Sequence, residues 1–344
     1  RRNQKLVEEA PAPFLSDAQR ERIHTAARDI CAAAGYVSAG TVEFLLSQSG
    51  AISFLEVNTR LQVEHPVTEQ TTGVDLVVEQ LRVADGLPLS ITQTPAPLGH
   101  SFEFRINAED VGRGFLPTPG PVQRFDAPSG PGVRLDTGVQ SGSVVPGTFD
   151  SLMAKLIVTG ATREQALARA RRALREFQIE GVASVLPFHR AVIDPPDFVG
   201  ADGFKVHTRW IESDFATPLA AAVRAAPVAD TSLLRTAIEI DGRRVQLGLP
   251  AVLLQGLATA GGQGAAAAPA EAAVDAAAVT SPIAGNLHAW KVADGDTVQE
   301  GDVIAVMEAM KMEMQVTAHR AGRVALVAAA GTAQALGAVI ARIA

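Results

Sequence analysis

The chain has 344 residues, of which 47% are hydrophobic and 19% are charged, and this composition predicts a substantial apolar core shared among two or three domains. A net charge of −7 without a basic block argues against nucleic-acid binding, and no apolar run is long enough to cross a membrane. The single cysteine, Cys31, excludes an internal disulfide and, without a secretory signal, favours a cytoplasmic location. Because the sequence starts at Arg1 without a methionine, we expect it to be a fragment.

The first predicted helix begins after Ser16 and ends near Ala34. Ser16 and Gln19 form a capping-box pattern, and Gly35 is a typical helix stop. Apolar residues recur at helical spacing, so we expect a buried face that contains Ile23, Ala27, Ile30 and Ala34.

Two predicted strands follow and form a hairpin that turns at Ser49-Gly50. This hairpin is expected to bring Glu43 of the first strand beside Glu56 or Asn58 of the second strand. Two carboxylates and an amide make an all-oxygen cluster, which suits Mg²⁺ that carries nucleotide phosphates.

The second strand continues into a polar row, residues 56–64, in which every second residue is polar: Glu56, Asn58, Arg60, Gln62 and Glu64. In an extended chain these side chains share one face, and the apolar residues between them lie on a core: Leu55, Val57, Leu61 and Val63. An extended row would span about 26 Å. A solvated amphipathic strand is the simpler interpretation, but surface strands are rich in Thr, Lys and Ser. This row instead combines carboxylates, amides and a guanidinium before it ends at His65-Pro66.

Beyond the polar row, the pattern predicts a helix near residues 75–84, a proline-rich loop at 88–99 and a strand from Ser101. Arg105 lies on the polar face of that strand, where a charged side chain is ordinarily solvated. A further helix opens at Thr162, with its apolar face made of Leu167, Ala170, Leu174 and Phe177. A hairpin at 237–249 is predicted to turn at Asp241-Gly242.

Residues 258–279 consist almost entirely of Ala, Gly and Pro with a few polar residues. Glycines and a proline interrupt the alanines, so the composition predicts a flexible tether and not a helix.

The last part of the chain contains an internal repeat, in which segments 283–286 and 301–305 are echoed by segments 320–323 and 337–341. Two copies of a short strand-turn-strand unit predict a small β sandwich with a pseudo-two-fold axis. Between the copies lies Ala309-Met310-Lys311-Met312, where methionines flank a lysine at a predicted exposed turn.

Several segments resemble the biotin carboxylases, a family of ATP-grasp enzymes. They are 5–11, 43–45, 56–66, 103–110 and 149–156, and the run from Glu64 to Glu69 is among the most specific. The resemblance extends to about Glu212. The family's N-terminal domain and mobile ATP lid have no counterpart in these residues, so we expect the fragment alone to be inactive in the ATP-dependent step.

The resemblance implies a phosphate and metal site. Glu43, Glu56 and Asn58 are expected to bind the Mg²⁺ or Mn²⁺ ions that bridge the phosphates of ATP. Lys5 is expected to neutralise charge on the transferred phosphoryl group.

It also implies a bicarbonate and biotin site. Arg60, Gln62 and the Val63 backbone are expected to hold bicarbonate. Glu64 is expected to remove the bicarbonate proton as a general base, and Arg105 to stabilise the biotin enolate. Lys155, in contrast, is interpreted as a structural residue.

The segment around Lys311 resembles the biotin carboxyl carrier domain, whose lysine carries biotin in amide linkage. Lys311 is therefore the expected attachment site, and Met310 and Met312 are its expected neighbours in cofactor binding. A lipoyl carrier of similar fold is the alternative, but its lysine usually has acidic and small neighbours.

The resulting prediction is an α+β protein of five segments: the C-terminal lobe of an ATP-grasp domain at 1–98, a biotin carboxylase C-terminal α/β domain at 99–213, a connecting segment at 214–257, a flexible linker at 258–279 and an all-β, lipoyl-like flattened barrel at 280–344. Residues 214–279 cannot contain a carboxyltransferase domain. The layout therefore resembles the α chain of a bacterial acetyl-/propionyl-CoA carboxylase of fatty acid biosynthesis.

That resemblance implies four partners: a carboxyltransferase β subunit, the acyl-CoA that it binds, a biotin protein ligase and further copies of the carboxylase part. No nucleic acid or membrane is expected. The alternatives are the α chain of methylcrotonyl-CoA or urea carboxylase, and a non-catalytic biotinylated carrier.

Overall fold

The computed structural model describes residues 4–200, 203–222, 233–240, 243–250, 275, 277–310 and 312–344. The chain divides into two compact units, Arg1–Arg224 and Ala225–Ala344. No described helix combines the length and the apolar character that crossing a membrane requires.

The first unit mixes helices and strands. In chain order its elements are β1 (Val7–Ala10), α1 (Asp17–Ala33), β2 (Thr41–Leu46), β3 (Ile52–Asn58), α2 (His65–Thr72), α3 (Leu76–Ala84), β4 (His100–Asn107), β5 (Glu109–Asp110), a 3₁₀ turn (Val111–Arg113), β6 (Leu116–Pro117), β7 (Gly120–Pro121), β8 (Arg124–Asp126), β9 (Val133–Thr137), β10 (Val144–Val145), β11 (Leu152–Gly160), α4 (Arg163–Glu176), β12 (Gln178–Glu180), α5 (Leu186–Val192), α6 (Pro196–Val199) and α7 (Ala216–Ala222).

A four-stranded antiparallel sheet, the central sheet, organises this unit with strand order β1-β4-β11-β9. One face is apolar and packs on α4, so that Phe102, Phe104 and Leu156 of the sheet are fully buried with Leu167 and Leu174 of the helix. Side chains alternate between the faces of a strand, so the opposite face carries the polar residues of β4. Helix α2 packs on that face.

Strand β1 pairs with β4, with Val7 opposite Phe104 and Glu8 opposite Glu103. The predicted domain boundary between residues 98 and 99 lies between β1 and β4 in the chain. The central sheet therefore contains strands from both predicted domains, and the segment with Lys5 and Glu8 belongs to the sheet of the domain predicted at 99–213.

The helix limits agree with the sequence. Ser16 caps α1 through a complete capping box, Asp75 caps α3 and Thr162 caps α4. The predicted buried face of α1 is wrong, however, because no residue of α1 is buried and Ala34 is exposed. None of the described elements packs closely against this helix.

The polar row is not one extended strand. Strand β3 ends at Asn58, the chain bends at Thr59 and Arg60, and α2 begins at His65 with a proline in its first turn. The expected extension is therefore wrong, because the row folds back toward the β2–β3 hairpin.

Burial within the row also differs from the expectation. Gln62 is buried at 8% exposure, whereas Leu55 is 50% exposed. The apolar alternation does not mark a core here, since among the described strands β2 and β3 pair only with each other.

The described residues of the second unit form a hairpin and a set of short strands. The hairpin pairs β13 (Leu233–Ile240) with β14 (Arg243–Pro250), as the sequence predicts. The remaining strands are β15 (Ala278–Thr280), β16 (Gly285–Trp290), β17 (Thr297–Val298), β18 (Val303–Ala309), β19 (Met312–Thr317), β20 (Gly322–Leu326), β21 (Ala333–Gln334) and β22 (Val339–Ile343). Because β15 starts at Ala278, the predicted linker is too long by two residues at its C-terminal end.

These eight strands form two four-stranded sheets with orders β15-β22-β20-β17 and β19-β18-β16-β21. If β15–β18 are exchanged, in order, with β19–β22, the strand order of one sheet becomes that of the other. The internal repeat therefore corresponds to a pseudo-two-fold arrangement. The repeated glycines serve the same purpose in both copies. A Cβ on Gly285 would collide with the Glu308 carbonyl oxygen, and one on Gly322 would lie 2.5 Å from the Ala344 carbonyl oxygen.

Candidate active site

Glu64 lies at the centre of the candidate active site, immediately before α2. Its Oε1 accepts a hydrogen bond from Lys5 Nζ at 2.6 Å, and its Oε2 accepts one from Arg105 Nη2 at 2.8 Å. Lys5 precedes β1 and Arg105 lies on β4, so two neighbouring strands of the central sheet bring both cations to one carboxylate. The sequence placed these three residues in separate segments, and the fold brings them together.

The charges in this group support one another. Burial by itself would raise the pKa of Glu64, but hydrogen bonds from Lys5 and the backbone, with the charges of Lys5 and Arg105, hold this pKa below its usual range. Burial opposes the charge of Lys5, yet its hydrogen bonds to Glu43 and Glu64 raise the pKa of the lysine. At neutral pH the site therefore contains an ionised carboxylate between two cations.

Glu43, Glu56 and Asn58 lie together on the β2–β3 hairpin. Glu43 and Glu56 are directly opposite each other, and Asn58 Nδ2 donates to Oε1 of both, at 3.2 and 3.0 Å. Glu43 Oε1 also accepts a hydrogen bond from Lys5 at 2.8 Å, which links this oxygen-rich cluster to Glu64.

This donor set fits the ion that the sequence predicts. Among the described residues, no group of three or more His, Cys, Asp and Glu side chains could hold a metal. Mg²⁺ nevertheless commonly takes only one or two protein carboxylates and completes its shell with phosphates and water. Two carboxylates and an amide beside Lys5 meet that requirement.

Arg60 and Gln62 follow the bend after β3. Arg60 Nη1 donates to Gln62 Oε1 at 3.0 Å, and Gln62 Nε2 donates to Glu43 Oε1 at 3.3 Å. These contacts orient the guanidinium through a buried amide. Its planar fork suits a small flat oxyanion such as bicarbonate.

Three residues for which no catalytic or binding role is predicted support the predicted site. Lys155 Nζ donates to the Val63 carbonyl oxygen at 3.1 Å, and Glu8 Oε1 accepts from Arg105 Nε at 2.7 Å. His189 Nε2 donates to the Arg105 carbonyl oxygen at 2.6 Å, and burial lowers the pKa of His189 to about 4, so the ring is neutral. Glu8 and Lys155 lie in segments that carry the family resemblance, but only the register of the central sheet shows what they face.

The second unit contains the segment predicted to carry biotin. Strands β18 and β19 form a hairpin in which Ala309 pairs with Met312. Met310 has a φ of 50° and is only 5% exposed, so the expectation of an exposed methionine is wrong for this position. Lys311 and the side chain of Met312 lie outside the described residues.

Three family models match the chain. Residues 1–92 match the ATP-binding domain of the carbamoyl-phosphate synthase L chain, residues 103–213 match the biotin carboxylase C-terminal domain, and residues 277–343 match the model described as biotin-requiring enzyme. Together they cover a nucleotide-binding segment, a carboxylase segment and a biotin carrier segment in one chain. The chain belongs to the biotin-dependent carboxylases.

Similar proteins agree with this family. The biotin-dependent acyl-coenzyme A carboxylase alpha3 subunit of Mycobacterium leprae is 53% identical over 360 residues, which cover 100% of this chain and 60% of that protein. The biotin carboxylase of a Nostoc species is 49% identical over 200 residues, which cover 58% of this chain and 45% of that protein. The matched part of the chain thus spans between 45% and 60% of the length of these curated relatives.

Solved structures show the same relationship. The biotin carboxylase domain of a thermophilic 2-oxoglutarate carboxylase, bound to bicarbonate, matches with a TM-score of 0.61 and 41% identity over 64% of this chain and 49% of that chain. A single-chain, multi-domain long-chain acyl-CoA carboxylase matches 100% of this chain and 32% of its own, with a TM-score of 0.60 and 32% identity. The predicted fold class is therefore confirmed, and family membership supports ATP and covalent biotin, with Mg²⁺ typical of the family.

Proposed function

We propose that this chain contributes to ATP- and bicarbonate-dependent carboxylation of biotin attached to Lys311. In this reaction a bicarbonate oxygen attacks the γ-phosphorus of ATP, and ADP leaves. The carboxyl carbon then passes to a biotin nitrogen, which loses its proton, and phosphate is released. The single observation that carries the proposal is Glu64, held as an ionised carboxylate by Lys5 at 2.6 Å and Arg105 at 2.8 Å.

Glu64 is the proposed acceptor of the bicarbonate proton. Its low pKa keeps it ionised but also makes it a weak base, so proton uptake must be coupled to attack on phosphorus. Lys5 lies beside both Glu64 and the phosphate-side cluster, where it can stabilise charge on the transferring group. Gln62 and Lys5 both contact Glu43, and Lys5 also contacts Glu64. Bicarbonate bound by Arg60 and Gln62 would therefore lie on the same side of the site as Glu64.

Mg²⁺ bound by Glu43, Glu56 and Asn58 would supply Lewis-acid stabilisation of the ATP phosphates. Biotin supplies the nitrogen that accepts the carboxyl group. Arg105 is assigned to the negative charge that develops on the ureido oxygen when that nitrogen loses its proton.

Transfer to an acyl-CoA by a separate carboxyltransferase subunit is the second half of the proposal. Its support is the relative in Mycobacterium leprae, which is named an acyl-coenzyme A carboxylase subunit. We further propose acetyl- or propionyl-CoA as the acceptor, a biotin protein ligase as modifying partner, a homo-oligomeric carboxylase part and a cytoplasmic location.

The substitution Glu64→Gln in the full-length protein tests the first half. Bicarbonate-dependent ATP hydrolysis is expected to fall by about 100-fold or more, while Mg-ATP affinity changes by less than about twofold, because a base acts mainly in the transition state. Glu56→Gln is the matched control, and it should weaken Mg-ATP binding. A loss of Mg-ATP affinity in Glu64→Gln would instead make Glu64 a metal-binding or structural residue.

A further inference from the structure

Two buried carboxyl groups lie side by side under the candidate active site. Glu8 of β1 and Glu103 of β4 are directly opposite each other in the central sheet. Opposite residues in an antiparallel pair point to the same face, with Cβ atoms about 5 Å apart. Glu103 is fully buried and the Glu8 side chain is 9% exposed, so two ionised carboxylates here would repel each other with little screening.

The hydrogen bonds of this pair are incomplete as long as both groups are ionised. Glu8 Oε1 accepts from Arg105 Nε at 2.7 Å. Within the described part of the chain, Glu8 Oε2 and both oxygens of Glu103 have no hydrogen-bond partner. An ionised carboxylate only accepts hydrogen bonds, whereas a protonated one also donates, so one proton on Glu103 would give Glu8 Oε2 a donor.

The electrostatic environment places the proton on Glu103. Burial first, and then the charge of Glu8, raise the pKa of Glu103 to about 8, although Lys155 and Arg105 oppose the shift. Burial also raises the pKa of Glu8, to about 7, but the contact with Arg105 opposes this shift, so Glu8 is the more acidic member of the pair. The other charged groups that act on the pair are Lys5 and Glu64.

We propose that Glu8 and Glu103 share one proton, and that this buried carboxyl pair positions Arg105 by holding Glu8 as the fixed counter-ion of its guanidinium. The proposal rests on the proposed function, in which Arg105 acts on the ureido oxygen. Glu8 and Glu103 are positioning residues, since they reach the reaction only through Arg105.

The pair matters most at the moment when Glu64 accepts a proton. Glu64 then becomes neutral, and its attraction for Arg105 Nη2 weakens. The contact between Glu8 Oε1 and Arg105 Nε remains, so the guanidinium stays bound to β1. Without Glu8, the neutralisation of Glu64 would remove the remaining anionic partner of Arg105 among these contacts.

A spectroscopic test needs no activity. Difference infrared spectroscopy of the chain between about pH 6 and about pH 9 should show a protonated carboxyl band that disappears as Glu103 ionises. The band should be absent in Glu103→Gln and unchanged in Glu176→Gln, since Glu176 is a solvent-exposed residue of α4. A wild-type spectrum without the band, or a band that persists in Glu103→Gln, would overturn the shared proton.

The pH dependence of stability gives a second readout. A carboxyl group whose pKa is raised on folding contributes stability below its unfolded pKa, and that contribution is lost as pH rises through the folded value, here about 8. The Tm of the wild-type protein should therefore fall more between pH 6 and pH 9 than that of Glu103→Gln, which has no proton to lose. Equal falls in Tm contradict the proposal.

Measurements of two activities distinguish a positioning role of Glu8 from a general loss of structure. In the full-length, biotinylated protein, Glu8→Gln should lower biotin carboxylation by about 10-fold to 100-fold. Bicarbonate-dependent ATP hydrolysis without biotin should fall much less, because that reaction needs Glu64 but no charge on a ureido oxygen. Equal losses in both reactions, or none in either, would refute the positioning role.

Glu103 provides the rescue test. The amide of Glu103→Gln can still donate to Glu8 Oε2, so this variant should retain most of the carboxylation rate, whereas Glu103→Leu should lose about as much as Glu8→Gln. Equal impairment of the two Glu103 variants would contradict the hydrogen bond within the pair. If Glu64→Gln retained ATP hydrolysis, the proposed function itself would fail, and this outcome is separate from any result at Glu8 or Glu103.

Discussion

At the scale of single residues, Lys155 connects the central sheet to the peptide that contains Val63. Its Nζ donates to the Val63 carbonyl oxygen at 3.1 Å and lies 3.5 Å from Asp136. The sequence predicts that the Val63 backbone helps to hold bicarbonate. By holding the carbonyl group of Val63 in place, Lys155 would therefore help to position this backbone for bicarbonate binding.

Replacing Lys155 by methionine should reduce kcat/KM for bicarbonate in the full-length protein. A hydrogen bond from a charged donor is worth about 1.5–3 kcal/mol, which corresponds to about 10-fold to 100-fold. KM for Mg-ATP should change little, since Lys155 contacts none of the predicted metal ligands. Steady-state kinetics at varied bicarbonate measures this effect. Lys205→Met, at a solvent-exposed lysine, is the control, and similar kinetics of the two variants would contradict the role of Lys155.

Lys311 presents a different case, because its prediction rests on the sequence around it. Co-expression with a biotin protein ligase should add one biotin to the wild-type chain, and Lys311→Arg should abolish the addition because arginine cannot form the amide. Intact-protein mass spectrometry measures the added mass. Lys291→Arg, elsewhere in the same unit, is the control, and biotin that remains in Lys311→Arg would refute this attachment site.

At the scale of elements, Arg163 at the start of α4 joins three parts of the first unit. Its guanidinium donates to Glu9 of β1 at 2.8 and 3.2 Å and to the Phe198 carbonyl oxygen of α6 at 2.9 Å. Glu9 Oε2 also lies 2.7 Å from His100 Nε2. This group holds β1, and with it the segment of Lys5 and Glu8, against the rest of the unit.

Replacing Arg163 by methionine should destabilise the first unit by about 3 kcal/mol, because it leaves the largely buried carboxylate of Glu9 without its arginine partner. Chemical denaturation followed by circular dichroism measures the change. Arg172→Met, on the same helix, breaks an exposed i,i+4 pair and an exposed hydrogen bond to the Ser129 carbonyl oxygen, and it should cost less than about 1 kcal/mol. Equal midpoints for the two variants would mean that Arg163 does not hold β1 in place.

At the scale of the whole molecule, one biotin must reach two reaction centres. Residues 258–279 are the predicted tether, and most of them lie outside the described residues, so the prediction depends on composition. A chain of this length and Gly-rich stiffness has an r.m.s. span of about 26 Å. That span gives an effective biotin concentration on the order of millimolar at a neighbouring site.

Deleting residues 258–274 should leave biotinylation of Lys311 intact, because the ligase acts on the folded carrier domain. In the full-length enzyme with its carboxyltransferase subunit, the deletion should reduce acyl-CoA carboxylation far more than carboxylation of free biotin, since only the former requires the carrier to travel. Assaying both reactions side by side tests this. Equal loss in both would make the segment structural, and an unchanged overall rate would assign the movement to another hinge.

The sequence by itself determined the features that depend on local chemistry. Capping residues predicted the starts of α1 and α4, and the internal repeat predicted a small β sandwich with a pseudo-two-fold axis. The predicted hairpin at Ser49-Gly50 placed Glu43 beside Glu56 or Asn58, and the run from Glu64 to Glu69 indicated the family. Each of these depends on residues that are close together in the chain or on a motif that can be read directly.

Only the tertiary structure decided which distant residues share an environment. The polar row bends after Asn58 because Gln62 contacts Glu43 and Lys5 contacts both Glu43 and Glu64, and alternation in the sequence contains no information about such contacts. The register of β1 on β4 likewise places Glu8 opposite Glu103 and beside Arg105. A shift of one residue in that register would turn Glu8 to the other face of the sheet, so its role depends on strand pairing and not on the motif in which it lies.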